Sequence, residues 1–128
     1  MRIAILALLG ILAGCTTTQT STAPSSAGGA VATGPSAGLN RAYAACQAAY
    51  EKSANPTRTS RAQCLNDAEN RFAADFPDRQ ALSQQQGLRL ALAKRVDSGQ
   101  ITQAAADASY AREMAKIKAA SDARRAAG

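Results

Sequence analysis

Residues 43–68 read YAACQAAYEKSANPTRTSRAQCLNDA, and this stretch predicts a helical hairpin. Before its centre, apolar residues recur at helical steps of four, three and four: Leu39, Tyr43, Cys46 and Tyr50. After its centre, a second helical face carries Cys64, Leu65, Ala68, Phe72 and Phe76. Pro77 would end that second helix. Asn55 is a preferred N-cap and Pro56 suits the first helical position, so we expect the turn at Asn55.

The chain beyond this hairpin predicts a second one. A third helix is expected from residue 78 or 79 to 97, and its apolar residues fall on two neighbouring stripes: Leu82, Leu88, Leu90, Leu92, Ala93 and Val96. We therefore expect it to be the most buried helix. Gly99 suits a left-handed C-cap, and Thr102 suits the N-cap of a fourth helix that runs to about Ala126. The predicted fold class is all-α, a small bundle of two helical hairpins over residues 39–128.

Residues 16–38 precede the first predicted helix and contain no charged residue. They consist almost wholly of Thr, Ser, Ala, Gly and Pro, a composition that cannot bury enough apolar surface to order itself. We therefore predict a disordered tether, with a root-mean-square reach of roughly 25 Å from about 5–6 Å times the square root of its length.

The first fifteen residues have the order of an export signal. Arg2 supplies a positive charge, an apolar run extends from Ile3 to Leu12, and small residues precede Cys15. The run is about half as long as the roughly 20 residues that a transmembrane helix needs. A permanent transmembrane anchor is therefore not expected.

Leu12-Ala13-Gly14-Cys15 resembles the lipobox of bacterial membrane lipoproteins at all four positions. The resemblance implies a signal peptide over residues 1–14, cleavage between Gly14 and Cys15, a diacylglyceryl group on the Cys15 thiol and acylation of its new amino group with a fatty acid such as palmitate. Lipidated Cys15 and the tether would then occupy residues 15–38, and the covalent lipid would make the membrane a partner. An ordinary secretory signal that happens to carry a Cys is the alternative.

The residue after Cys15 bears on location. In the enterobacterial sorting pattern an Asp at this position retains a lipoprotein in the inner membrane, and this chain has Thr16 instead. The resemblance therefore implies an outer-membrane location, with the domain facing the periplasm. The inner membrane and the cell surface are the alternatives.

Cys46 and Cys64 lie nine residues on either side of Asn55. Residues equidistant from the turn of an antiparallel hairpin lie at similar heights, so the two thiols can approach disulfide distance. Export would place them in an oxidising compartment, and we predict a disulfide worth roughly 3 kcal/mol in the chain-entropy model. Two free, buried thiols are the alternative. A zinc site or a catalytic dithiol fits less well, because His and Cys-x-x-Cys spacing are both absent.

Positive charge concentrates near the C-terminus. Residues 39–78 hold five basic and five acidic residues, whereas residues 79–128 hold nine basic and four acidic ones. The basic residues of the last helix could contact anionic lipid headgroups or the cell wall: Arg112, Lys116, Lys118, Arg124 and Arg125. A solvated helix face that complements the helix dipole is the simpler interpretation. No nucleic-acid partner is expected, because no aromatic residues interleave these charges.

The sequence offers few groups for catalysis. It contains no His, which excludes His-based triads and His general bases. Asp67 and Glu69 are two positions apart and point away from each other on a helix, while Asp75 and Asp78 flank a helix end. We interpret all four as surface charge. No catalytic residue, metal site or cofactor is predicted.

Three functions are compatible with these features. The first is a non-enzymatic, lipid-anchored envelope protein that binds or braces another envelope protein or the cell wall. The second is an inhibitor of an exported enzyme such as lysozyme, and the third is an enzyme or accessory factor that uses carboxylates alone. The runs Cys64–Ala68 and Arg95–Thr102 resemble small helical lipoproteins of uncharacterised function, so they do not separate the three.

Overall fold

The computed structural model describes residues 35–128, and every regular element within that range is helical. In chain order these are α1 (Ala37–Lys52), α2 (Arg58–Arg71), a 3₁₀ turn (Ala73–Asp75), α3 (Arg79–Asp97) and α4 (Gln103–Ala127). The predicted all-α class is confirmed. The predicted signal peptide, Cys15 and the tether as far as residue 34 lie outside the described residues. The helical domain begins at Ala37, two residues before the predicted boundary at Leu39, because Ser36 caps α1.

Each helix begins at a side chain that accepts a backbone N–H of its first turn, which satisfies a donor that the helix itself leaves unpaired. The capping oxygens belong to Ser36, Thr57, Asp78 and Thr102. The prediction of Asn55 as the N-cap of α2 is wrong, since Thr57 Oγ1 accepts the Ser60 N–H at 3.0 Å. The Asp97 carboxylate of α3 accepts the N–H groups of Arg58 and Thr59, which holds the first turn of α2 directly after Thr57.

The second predicted helix face is wrong in its last turn. Helix α2 ends at Arg71, with Phe72 as its C-cap, and the chain then forms the 3₁₀ turn before Pro77. Phe76 therefore does not lie on α2. The predicted start of α3, its end at Asp97, and Thr102 as the N-cap of α4 are confirmed. Gly99 has a φ of +74°, as its predicted C-cap position requires.

Packing joins helices that are neighbours in sequence: α1 with α2, α2 with α3, and α3 with α4. The buried apolar residues are small or aliphatic: Leu39, Cys46, Ala62, Ala68, Leu82, Leu92, Ala93 and Ala106. Helix α3 contacts two neighbours, but it buries no more residues than α2, so the expectation that it is the most buried helix is not met. Over residues 35–128, no helix has the length and apolar character to cross a bilayer.

A disulfide joins Cys46 of α1 to Cys64 of α2, with a Cα–Cα distance of 5.7 Å. The predicted pairing is confirmed. It lies on the buried side of α1, where Cys46 is only 2% exposed. The bond therefore fixes the first hairpin at the middle of both helices.

Candidate functional site

The most buried charged group in the described residues is the carboxylate of Glu69 on α2, which is 0% exposed. Arg89 of α3 approaches it with both terminal nitrogens of the guanidinium. Nη2 donates to Oε1 at 2.7 Å, and Nη1 donates to Oε2 at 2.9 Å. This bidentate geometry is the one that best matches a guanidinium to a carboxylate.

Neighbouring helices complete the hydrogen bonding of this ion pair. The Tyr43 hydroxyl of α1 donates to Glu69 Oε1 at 2.9 Å, and Gln86 Nε2 donates to Oε2 at 3.2 Å. Asn66 Oδ1 accepts a further hydrogen bond from Arg89 Nη1 at 2.6 Å. Both carboxylate oxygens thus have at least two donors, which is the condition for burying a charge.

The pKa shifts of the ion pair follow from this geometry. Burial alone would raise the pKa of Glu69, but the hydrogen bond and charge of Arg89 outweigh it and hold that pKa below its usual value. Burial would likewise lower the pKa of Arg89, and the contacts with Glu69 reverse that effect. Burial, together with the bond to Glu69, raises the pKa of Tyr43. All three shifts leave the groups in their ordinary neutral-pH charge states.

The interpretation of Glu69 as surface charge is wrong, whereas Asp67 is exposed as predicted. The sequence did contain a signal for the difference. Glu69 lies seven positions after Ala62, and Arg89 lies seven positions after Leu82, so each charge continues a buried helical stripe. Opposite charges on the buried stripes of two adjacent helices indicate a buried pair.

Asp75 and Asp78 act at helix ends and do not approach each other as a catalytic pair. Asp75 Oδ2 accepts the Ser36 N–H at 2.9 Å, and hydrogen bonds from the side chain and the backbone of Ser36 lower the pKa of Asp75. Asp78 caps α3 through the Ala81 N–H, which, with further bonds from Ser121 and Arg124, holds the pKa of Asp78 well below its usual range. No group of three potential metal-ligating side chains occurs in the part of the chain that the structure describes.

A groove of about 230 Å³ lies between α2, α3 and α4. Its apolar lining comes from all three helices: Ala62, Leu65, Leu92, Ala93, Val96 and Ala106. Arg58, Arg61, Gln103 and Asp107 line the end where α2 and α4 begin, while Arg89 and Tyr110 line the other end. The sequence does not predict this groove, because faces of three separate helices have to meet to form it.

Arg58 and Arg61 lie over the ring of Tyr50, with guanidinium carbons 5.3 and 5.8 Å from its centroid. Such cation–π contacts orient the guanidinium groups without neutralising them. Neither arginine forms an ion pair with a carboxylate among residues 35–128, and Arg61 Nε is buried with no acceptor there. The groove therefore has two adjacent guanidinium groups at one end that form no ion pair, although the charge of Arg58 interacts with that of Asp97.

The basic residues of α4 have partners within the domain. Arg124 Nη2 lies 2.7 Å from Asp78 Oδ2, Lys116 pairs with Glu113 at 2.8 Å, and Lys118 and Arg125 both pair with Asp122. Arg112 donates to the Ser109 hydroxyl. These contacts favour a solvated, internally compensated face, and contact with an anionic surface stays a prediction.

No family model, curated protein or solved structure matches this chain. The geometry of its own residues is therefore the basis on which a function can be argued.

Proposed function

We propose that the chain is a non-enzymatic, lipid-anchored envelope protein whose helical domain binds another component of the envelope. The observation that carries the binding role is the groove between α2, α3 and α4, with its apolar lining and with Arg58 and Arg61, which form no ion pair in the described residues. An open apolar groove with a few charged groups at its edge is the usual form of a binding site. The anchor rests on the lipobox at residues 12–15.

The buried ion pair suits a structural role better than a catalytic one, which leaves the groove as the candidate site. General acid–base catalysis is most efficient when a group has a pKa near the working pH. The pKa values of Glu69, Arg89 and Tyr43 are all shifted in the direction that keeps their protonation states fixed. Their hydrogen bonds also run mainly to one another, which suits a group that holds helices together.

Two experiments in cells test the two parts of the proposal. Cells fed an alkyne-labelled palmitate should incorporate it into the wild-type chain and not into Cys15→Ala. Equal labelling of both would contradict lipidation at Cys15.

For the binding role, the photoreactive residue benzoylphenylalanine is placed at Gln103, which lines the groove, or at Gln63, an exposed glutamine of α2 outside the groove lining. Gln103 should give a discrete adduct on irradiation, and Gln63 should give none, because only the groove would hold a bound component. The same adducts from both positions, or no adduct from Gln103, would exclude a binding role for the groove.

A further inference from the structure

The groove between α2, α3 and α4 combines positive charge, apolar surface and a limited length. We propose that it binds a medium-chain carboxylate, with the carboxylate at Arg58 and Arg61 and the alkyl chain along the apolar lining. The inference names the ligand class for the binding role proposed above, and its biological meaning rests on that role.

Charge complementarity selects an anionic head group. The charged residues of the groove lining are three arginines and one aspartate. Arg89 is already neutralised by Glu69, whereas Arg58 and Arg61 have no carboxylate within ion-pair distance in the described residues. Two guanidinium groups held over one tyrosine ring repel each other, and an incoming carboxylate relieves that repulsion.

The size of the groove selects a short apolar chain. From Arg58 to Leu65 on α2 the lining spans seven residue steps, or about 10 Å at the helical rise of about 1.5 Å per residue. Arg89 and Tyr110 line the far end and bring polar atoms to it. An extended eight-carbon acyl chain has about this length, and a longer chain would meet the polar end.

The same dimensions argue against a protein segment as the occupant. Stable protein–protein interfaces bury roughly 1,200–2,000 Å². A groove of about 230 Å³ whose lining spans two turns of α2 has room for no more than a short chain. It is also smaller than the roughly 300–1,000 Å³ of sites that enclose larger ligands and cofactors.

Asp107 provides a test in which a substitution should strengthen binding instead of weakening it. It lines the same end of the groove as the two arginines, and Gln103 Nε2 donates to its Oδ1 at 2.7 Å. Its negative charge opposes a carboxylate ligand, so removing that charge should strengthen binding. Such an increase in affinity would distinguish a specific head-group site from general apolar adsorption.

The test uses the full chain carrying Cys15→Ser and follows amide chemical shifts by NMR during titration with four small probes. Octanoate should bind saturably and shift the amides of the groove lining. Octylammonium and acetate should each bind at least about tenfold more weakly, because octylammonium lacks the carboxylate and acetate lacks the alkyl chain. The fourth probe, the peptide acetyl-Glu-Leu-Leu-Glu-amide, presents the same chemistry as a protein segment and should shift no groove amide.

Variants assign the effect to residues. Arg58→Gln/Arg61→Gln should weaken octanoate binding by about tenfold or more, and Asp107→Asn should strengthen it about threefold. Arg41→Gln/Arg71→Gln is the matched control, since it removes two exposed charges outside the groove lining and should leave the affinity unchanged. Val96→Phe fills the groove without changing charge and should also weaken binding. Thermal unfolding confirms that each variant is folded.

The outcomes separate this inference from the proposed function. No saturable binding of octanoate, equal binding of octylammonium, or an equal loss in the Arg41/Arg71 control would overturn the carboxylate proposal. Binding of the peptide without octanoate would overturn it in favour of a protein partner. If octanoate fails while Gln103 still forms adducts in cells, the ligand class is wrong and the binding role stands.

Discussion

Glu69 and Asp67 stand two positions apart on α2 and carry the same charge, yet their surroundings differ completely. Glu69 is 0% exposed and accepts hydrogen bonds from side chains of two other helices, whereas Asp67 is exposed. A buried charge is tolerated only when its partner is present. Removing Glu69 leaves the Arg89 guanidinium, which is only 17% exposed, without its counter-ion.

Glu69→Ala should therefore lower the free energy of unfolding by about 3–5 kcal/mol. Asp67→Ala should change it by no more than about 0.5 kcal/mol, as is usual for an exposed position. Urea unfolding followed by circular dichroism measures both. Similar values for the two variants would mean that the ion pair contributes nothing beyond a surface charge.

Gly38 and Gly87 are both helical glycines, and only one of them is needed for packing. A Cβ built at Gly38 would lie 2.5 Å from Cε1 of Phe72, whereas a Cβ at Gly87 meets nothing within 4 Å. Gly38→Ala should destabilise the domain by about 1–3 kcal/mol through overpacking. Gly87→Ala should stabilise it by up to about 1 kcal/mol, because Ala has the higher helix propensity. Thermal melts of the two variants should shift in opposite directions, and a shift in the same direction contradicts this account.

At the residue scale, the sequence predicted contacts that depend on one hairpin and missed those that depend on several helices. Cys46 and Cys64 face each other by symmetry about a single turn, so their pairing followed from spacing. The partners of Glu69 come from α1 and α3, and no pattern within one hairpin positions them together. The periodic stripes around Glu69 and Arg89 carry a signal for a buried pair, but only the packing shows that Tyr43 and Gln86 complete its hydrogen bonds.

At the element scale, the ends of the helices were likewise predictable only where the signal is local in sequence. Helix α3 was predicted well because Asp78 and Gly99 supply strong local end signals. The start of α2 was predicted wrongly, because a residue distant in sequence also holds its first turn. Asp97, at the end of α3, accepts the Arg58 N–H at 2.9 Å and the Thr59 N–H at 2.8 Å. One carboxylate thereby ties the beginning of α2 to the end of its antiparallel neighbour.

The first hairpin depends on a covalent bond as well as on packing. Alanine and cysteine dominate the buried face between α1 and α2, so little apolar area is available there. Cys46→Ala/Cys64→Ala should lower the free energy of unfolding by roughly 3 kcal/mol. Urea unfolding with and without reductant checks this. Reductant should destabilise the wild type by a similar amount and leave the double variant unchanged; an effect on both would point to a cause other than this disulfide.

At the scale of the whole molecule, we expect stability to be lost on the acidic side of the pH range. The pKa values of Glu69, Asp75, Asp78 and Asp97 are all lower in the folded protein than their usual values. Such groups contribute stability that is fully present above the unfolded pKa, near 4, and is lost as pH falls through the folded pKa. Stability should therefore decrease as the pH decreases.

Unfolding free energies measured by urea titration should be nearly constant from about pH 6 to 8 and should fall steadily below about pH 4. Asp78→Asn removes one of the groups with a lowered pKa, so the unfolding free energy of this variant should fall less steeply in acid than that of the wild type. The exposed control Asp67→Asn should keep the wild-type slope. Undiminished stability of the wild type at pH 2 would contradict the ionised state assigned to these carboxylates.

The pattern in which each helix packs against its neighbours in sequence has a kinetic consequence. Chains whose contacts are mostly local in sequence form them without closing long loops, and helical proteins of this kind fold in microseconds to milliseconds. Cys46 and Cys64 belong to one hairpin and are only 18 positions apart. The two thiols can therefore meet once α1 and α2 have paired, whether or not α3 and α4 are in place. Formation of this disulfide needs no search among distant segments of the chain.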